Sequence, residues 1–233
     1  MTYPLSKKNA NGVTESNQVD KQGTRVSSVD PIGPDVGKSE LPENFGEVVK
    51  GIYRSSFPQP WNLPPLESLG LKTIITLVEE PYTQSHMTFL KENAVTHHRI
   101  AFIANKDAAV RTPESVLHRI IEIILDKANH PILIHCNKGK HRTGCVTGCF
   151  RKLQGWNMQD IINEYVHYSF PKQRPLDEAF IEAFDPSKLS HLAQLSGAKL
   201  WLPTGAYPST RQEKEQESSR RLVQLTCNGI RVS

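Results

Sequence analysis

The ten residues His135-Cys136-Asn137-Lys138-Gly139-Lys140-His141-Arg142-Thr143-Gly144 place a thiol and a guanidinium five residues apart, with two glycines beside them. On a tight turn between an apolar strand and a helix N-terminus, such a string makes a cradle for a phosphoryl group. Backbone N–H groups converge on one point, and the helix end adds positive potential there. Gly139 and Gly144 supply the backbone freedom and close approach that the turn needs. Arg142 offers a planar fork able to hold two phosphoryl oxygens. The same field favours thiolate over thiol, since a cysteine at a helix N-terminus beside arginine loses its proton well below the usual ~8.5. Cys136 is therefore expected to be an ionised nucleophile that passes through a phosphocysteine intermediate. Thr143 is expected to donate its hydroxyl to the sulfur when water attacks that intermediate, and His135 to orient the loop. Asn137, Lys138, Gly139, Lys140 and His141 complete the expected substrate-binding set.

Such a loop works only if a framework presents it. Pro131–His135 is a short, wholly apolar run of the kind buried inside a parallel sheet. Gly51–Arg54, Leu71–Leu77 and His98–Ile103 predict further strands. Thr112-Pro113-Glu114 predicts a helix start, with Thr as cap, Pro in the first turn and Glu at the positive end. Val116, Ile120, Ile123 and Ile124 then recur at helical spacing, one stripe facing a sheet. Three more helices are predicted over 143–154, 158–168 and 176–184. Trp61, Trp156, Ile161, Ile162 and Tyr165 are expected in the core. This is an α/β architecture: a central, mainly parallel sheet flanked by helices, with a helical C-terminal half.

The chain has 233 residues, 37% hydrophobic and 22% charged, which allows one medium-sized domain with tails. Residues 1–40 carry five basic and five acidic residues and few apolar ones, so a disordered N-terminal segment is expected. Residues 41–185, the expected catalytic domain, hold sixteen charges of each sign. The surplus giving the net charge of +4 sits in residues 186–233, expected to be a polar, basic, mobile tail in which the short apolar pieces Leu189–Leu202 and Leu222–Ile230 either dock on the domain or serve as a partner motif. A charge-neutral body disfavours a nucleic-acid partner. No run approaches a membrane span, and the first twenty residues lack the apolar stretch of a secretory signal. Four cysteines without a disulfide framework suit a cytoplasmic, or nuclear, protein. Cys145 and Cys149 are expected to be small core residues. The histidines lack metal-ligand spacing, so neither metal nor cofactor is expected.

The string His135–Gly144 resembles the signature of the cysteine-dependent protein tyrosine phosphatase superfamily. The longer run HCNKGKHRTGCVTGCFRKLQGW is similar to the plant and fungal atypical dual-specificity phosphatases, as are LPENFGEVVKGIYRSSFPQPWNLPPLESLGLKTIITL and FPKQRPLDEAFIEAFD. The likeness covers about residues 41–185. It implies the dual-specificity phosphatase fold, and members of this family include inositol-pyrophosphate phosphatases that prefer the 5-diphosphate. By the same resemblance related fungal proteins associate with one another, and a carboxylate ahead of the nucleophile acts as proton donor. Asp107 stands at that place, where the closer family carries Glu, and His141 is a second candidate proton donor beside its expected phosphate contact.

The charge pattern agrees with a polyanionic substrate. No acidic residue lies between Asp126 and Asp160, whereas Lys138, Lys140, Arg142, Arg151 and Lys152 do. Lys106, Lys172 and Arg174 are expected to join from neighbouring loops, the last two by resemblance to the family's PKxR stretch. A leaving phosphate has low basicity, so Asp107 is less necessary there than for an aryl or alkyl ester. Two other functions compete: a protein tyrosine or dual-specificity phosphatase acting on a phosphoprotein, and a non-catalytic phosphate-binding adaptor. An adaptor needs no thiol nucleophile.

Overall fold

The computed structural model describes residues 40–109 and 112–204. Five strands form one sheet: β1 (Gly46–Val49), β2 (Ile52–Ser55), β3 (Thr73–Thr76), β4 (Thr96–Arg99) and β5 (Ile132–His135). The order is β1-β2-β5-β3-β4, with β1 antiparallel to β2 and the other pairings parallel. The central strand β5 is the most apolar, and all four of its residues are buried, as a strand covered by helices on both faces requires. At the edge β4 has no fully buried residue, which accounts for its reading THHR.

Register brings three strand ends together. Ser55 of β2 and Thr76 of β3 both lie opposite His135 of β5. The chain leaves β5 at the carboxyl edge with β2 on one side and β3 on the other, a strand-order reversal of the kind that opens a crevice for ligands in parallel sheets.

The helices are α1 (Leu63–Glu67), α2 (Gln84–Glu92), α3 (Glu114–Leu125), α4 (His141–Gln154), α5 (Met158–Ser169), α6 (Pro175–Ala183) and α7 (Ser190–Ser196). Helix α4 runs through the helical layer, and eleven of its fourteen residues are buried. Its glycines let neighbours close in: a Cβ at Gly144 would lie 2.8 Å from the Tyr165 ring, and one at Gly148 would lie 2.7 Å from Ile181. On α3, Leu117, Ile120, Ile121 and Ile124 are buried against the main core, with Val116 and Ile123 partly buried beside them.

Several expectations are corrected. The strand expected over 98–103 begins and ends earlier, at Thr96–Arg99. Thr112 does not cap α3. Its hydroxyl accepts from Ile103 N–H at 2.9 Å and donates to Ile103 carbonyl at 3.2 Å, and Pro113 occupies the cap position. Trp61 is 59% exposed rather than part of the core. Trp156 is only partly buried and lies on the Arg151 guanidinium at 4.0 Å. The expected boundary at 185 falls within folded chain: Pro186–Leu200 forms α7 between two short 3-10 turns, burying Leu189, Ala193 and Ala198 in the main core. Gln154 ties this segment down, its side-chain N–H groups donating to Ala198 and Trp201 carbonyls at 2.9 and 3.0 Å. The remainder of the expected tail, and the expected N-terminal segment up to residue 39, lie outside the described residues. Among the described residues no helix is long and apolar enough to cross a membrane.

Candidate active site

Strand β5 ends at His135, Cys136 follows at 3% exposure, and α4 begins at His141. What shapes the loop between them is the fate of its carbonyls. Asn137 carbonyl accepts from Phe57 N–H at 3.3 Å. Lys138 carbonyl accepts from Asn44 Nδ2 at 2.7 Å. Gly139 carbonyl accepts from Arg54 Nη2 at 2.8 Å. Three successive carbonyls are thus engaged by donors from other segments, an arrangement compatible with an anion nest formed by the loop's N–H groups. Arg54 is fully buried. It also donates to Thr147 Oγ1 at 3.2 Å and stacks on Tyr168 at 3.6 Å.

Gly139 has φ +64°, and a Cβ there would sit 2.5 Å from the Ser55 carbonyl carbon. Only glycine lets the loop lie this close to the end of β2. Arg142, in the first turn of α4, is half-buried and lines a cavity of about 590 Å³. The opposite walls are Leu77–Glu80 and Ala101–Ala104. Thr143 is fully buried, and its hydroxyl has no hydrogen-bond partner, so the expected bond to the Cys136 sulfur is not formed here.

His135 is buried, its Nε2 2.6 Å from Tyr82 Oη and 2.8 Å from Thr76 Oγ1. Burial, with smaller contributions from His97 and His86, pushes it down to about 3, so the ring is neutral and acts through hydrogen bonds alone. Glu80 reaches the loop from the other side, accepting from Asn137 Nδ2 at 2.8 Å. That bond, a bond within its own backbone and the charge of Arg142 hold its carboxyl below the usual range, so it is ionised at neutral pH.

The expected basic residues divide. Lys138 is exposed on the loop. Lys140 Nζ donates to Phe170 carbonyl at 3.1 Å and His141 Nε2 is 2.5 Å from Lys172 carbonyl, so both tie the loop to the 170–174 segment. Lys172 is thereby brought beside α4, and Arg174, partly buried, starts α6 two residues on. Lys106 is exposed on the far loop. Arg151 and Lys152 are not at the mouth at all. Arg151 is buried in an ion pair with Glu164 at 2.7 Å, and Lys152 Nζ donates to the carbonyls ending α6 at Ile181, Glu182 and Phe184. The absence of acidic residues between 126 and 160 therefore overstates the positive charge facing a ligand.

Asp107 is not among the residues lining the Arg142 cavity. It is exposed, its Oδ1 accepts from Ala109 N–H at 2.9 Å, and it lines a separate cavity of about 350 Å³ with Leu117, Phe180 and Lys188. Its neighbour Asn105 is buried, donating to Asp177 Oδ1 at 2.9 Å and to the Cys145 sulfur at 3.5 Å. Burial raises the thiols of Cys145 and Cys149, as expected of core residues. Among the described residues no group of three His, Cys, Asp or Glu is placed to hold a metal.

Residue types alone assign no role to Asn44, Arg54, Phe57, Glu80 or Tyr82: Tyr53-Arg54-Ser55-Ser56-Phe57 lies inside the family likeness and Glu80-Pro81-Tyr82 matches a family loop, but neither shows in one dimension which loop it meets.

Comparison with known proteins agrees with the geometry. The family model described as the tyrosine phosphatase family matches residues 41–201. The inositol diphosphatase SIW14 of Saccharomyces cerevisiae is 46% identical over 163 residues, which is 70% of this chain and 57% of the yeast protein. The inositol diphosphatase DSP2 of Oryza sativa subsp. japonica is 42% identical over 167 residues, 72% of this chain and 82% of the rice protein. The crystal structure of the core catalytic domain of the PP-IP phosphatase SIW14, in complex with citrate, superposes with a TM-score of 0.65 at 43% identity, covering 70% of this chain and 98% of that one. With its cysteine and arginine on one outward-braced loop, and that match running over most of its length, the chain belongs to the tyrosine phosphatase family.

Proposed function

We propose that this chain is a cysteine-dependent phosphatase that removes the terminal phosphoryl group of inositol pyrophosphates, the 5-diphosphate preferred. The observation that carries the reading is the braced loop: three carbonyls engaged from outside, between a buried thiol and a guanidinium, leave N–H groups for one phosphoryl group. The relatives named for inositol diphosphates support the substrate, since they align through the site.

In this mechanism Arg142 and the loop amides hold the terminal phosphoryl oxygens. The Cys136 thiolate attacks phosphorus, the S–P bond forms, and the bond to the bridging oxygen breaks with its electrons leaving on the inositol-linked phosphate. Water then attacks the phosphocysteine, the S–P bond breaks, and orthophosphate departs while the sulfur recovers its charge. Thr143, buried two residues into α4, is assigned to donate to that sulfur once its hydroxyl turns. Lys138 and Lys172 face the remaining ring phosphates, and Arg174 supports them from the start of α6. Because a phosphate leaves without needing a strong acid, an Asp107 outside the Arg142 cavity is compatible with turnover. A cytoplasmic or nuclear setting suits the free, buried thiols of Cys136, Cys145 and Cys149 among the described residues.

The test is a substrate panel on wild-type protein and Cys136→Ser. The wild type is expected to release phosphate from 5-diphosphoinositol pentakisphosphate faster than from phosphotyrosyl peptides, and the variant to bind without turnover. Preference for the peptide overturns the substrate, and full turnover by the variant overturns the mechanism.

A further inference from the structure

The tripeptide Glu80-Pro81-Tyr82 touches the loop twice, once on each side of Cys136. Glu80 accepts from the side chain of Asn137 at 2.8 Å, and Tyr82 Oη is 2.6 Å from His135 Nε2. Tyr82 is itself fixed. Its ring stacks on His97 at 4.3 Å with the planes 6° apart, and on His86 at 4.6 Å. Its hydroxyl accepts from Thr76 Oγ1 at 3.3 Å. Phe57 packs edge-on against Tyr82, His86 and His135, while its own N–H holds the Asn137 carbonyl. Pro81 stands between the two anchors and removes one backbone rotation from their spacing.

We propose that Glu80-Pro81-Tyr82 is a positioning clamp for Cys136, fixing the residues immediately before and after the nucleophile by one side-chain hydrogen bond each. This rests on the proposed role of the Cys136–Arg142 loop and deepens it. Neither anchor acts as a proton donor to substrate. Glu80 is ionised, and burial holds the Tyr82 proton far more tightly than usual. His135, being neutral, passes no charge to the sulfur. What the pair supplies is geometry, and a nucleophile displaced by an ångström loses alignment with the phosphorus–oxygen bond it must break. The Glu80 bond needs only an acceptor oxygen, which a glutamine amide also offers. An acid–base role would need the ionisable carboxyl. That difference makes the clamp separable from catalysis proper.

The experiment uses Glu80→Ala, Glu80→Gln and Tyr82→Phe in the full chain. Three readouts apply: the pH dependence of Cys136 alkylation by iodoacetamide, kcat and KM on 5-diphosphoinositol pentakisphosphate, and the thermal midpoint. Glu80→Ala is expected to lower kcat about tenfold with KM within about twofold, and to displace the alkylation profile. Its thermal midpoint should hold, since Glu80 is exposed. Glu80→Gln should recover most of the lost kcat. Tyr82→Phe should cost less than Glu80→Ala, because Thr76 Oγ1 remains 2.8 Å from the same His135 nitrogen. Wild-type kcat and alkylation in Glu80→Ala overturn the clamp, and so does a Glu80→Gln variant as slow as the alanine. Alkylation needs no phosphorylated substrate, so a wrong substrate assignment shows as absent turnover on the panel while the alkylation profiles still judge the clamp.

Discussion

Two loops that each send one flank to the Arg142 cavity, Ala104 from one and Arg142 from the other, are built on different plans. The 136–140 loop is gripped from outside, its carbonyls held by Phe57, Asn44 and Arg54 and its flanks by Tyr82 and Glu80. The 104–109 loop mostly holds itself. Lys106 N–H donates to Ala104 carbonyl at 2.8 Å and Asp107 caps Ala109, while Asn105 reaches inward to Asp177. An anion nest must exist before the substrate arrives, because N–H groups aimed at empty space are useful only if no reorganisation is needed on binding. A proton donor has no such demand when the leaving group is itself a phosphate. The contrast is what a diphosphate-cleaving site would show, and it can be pressed at several points.

The largest effect should come from Gly139→Ala. The residue has φ +64°, and its new Cβ would meet the Ser55 backbone at 2.5 Å, so the loop must shift as a body. Turnover should fall by about a hundredfold, with weaker binding of inorganic phosphate measured by calorimetry. Near-normal activity would mean that the outward bracing does not set the nest.

Arg151→Leu probes the opposite claim, that not every cation near the loop serves the ligand. The side chain is buried and paired with Glu164 at 2.7 Å, and removing one partner of such a pair costs about 3–5 kcal/mol. Urea unfolding should show that loss, while KM for the diphosphate stays at the wild-type value under conditions where the variant is folded. A raised KM would return Arg151 to the mouth.

These two positions also show how far sequence carries. The Cys136–Arg142 loop was legible because its pattern is local: Cys136, Gly139 and Arg142 fall within one short stretch, and the turn, the strand before it and the helix after it follow from residue type. Helix α3 and the apolar run of β5 were legible by periodicity, although the buried face of α3 runs through Leu117 and Ile121 beside Ile120 and Ile124 and leaves Val116 and Ile123 partly buried. The bracing was not, because Arg54 and Gly139 are 85 residues apart in sequence and nothing in an arginine's type says whether it will face solvent or a carbonyl. Arg151 misled for the same reason: a charge between two apolar helices looks, in one dimension, like a charge on a surface. Trp61 failed in reverse, an aromatic on an irregular turn where no partner element covers it. Docking of Leu189–Leu202 was one of two readings the sequence left open, because so short an apolar piece buries only a few side chains, here Leu189, Ala193 and Ala198.

Acidification should weaken the gripped region first. His135 is held at about 3 by burial, and burial lowers His97 and His130 as well. Folded, His135 stays neutral down to about 3, and burial makes His97 and His130 harder to protonate than free imidazoles. Unfolded, they take up a proton near 6.5, so below that pH the unfolded state binds more protons and stability falls with pH. The contribution is complete above about pH 6.5. For His135 alone the loss should reach about 2 kcal/mol at pH 5. Unfolding curves at pH 7 and pH 5 measure it, and equal midpoints would mean that the ring behind Cys136 is not enclosed as described.

Asp107→Asn should have the smallest effect and says most about the self-held loop. The side chain is exposed, and Asn keeps an oxygen able to accept from Ala109 N–H, so stability should change by no more than about 0.5 kcal/mol. If Asp107 reaches the leaving oxygen when that loop moves, it matters in proportion to the basicity of the departing group. Aryl phosphate hydrolysis should then drop by up to about tenfold, whereas diphosphate hydrolysis should change by less than about twofold. Equal losses on both substrates would break the comparison, because they would make the carboxylate part of a step common to both, such as attack of water on the phosphocysteine. No loss on either would leave the 104–109 loop without a proton to deliver and would place the whole burden of catalysis on the braced loop.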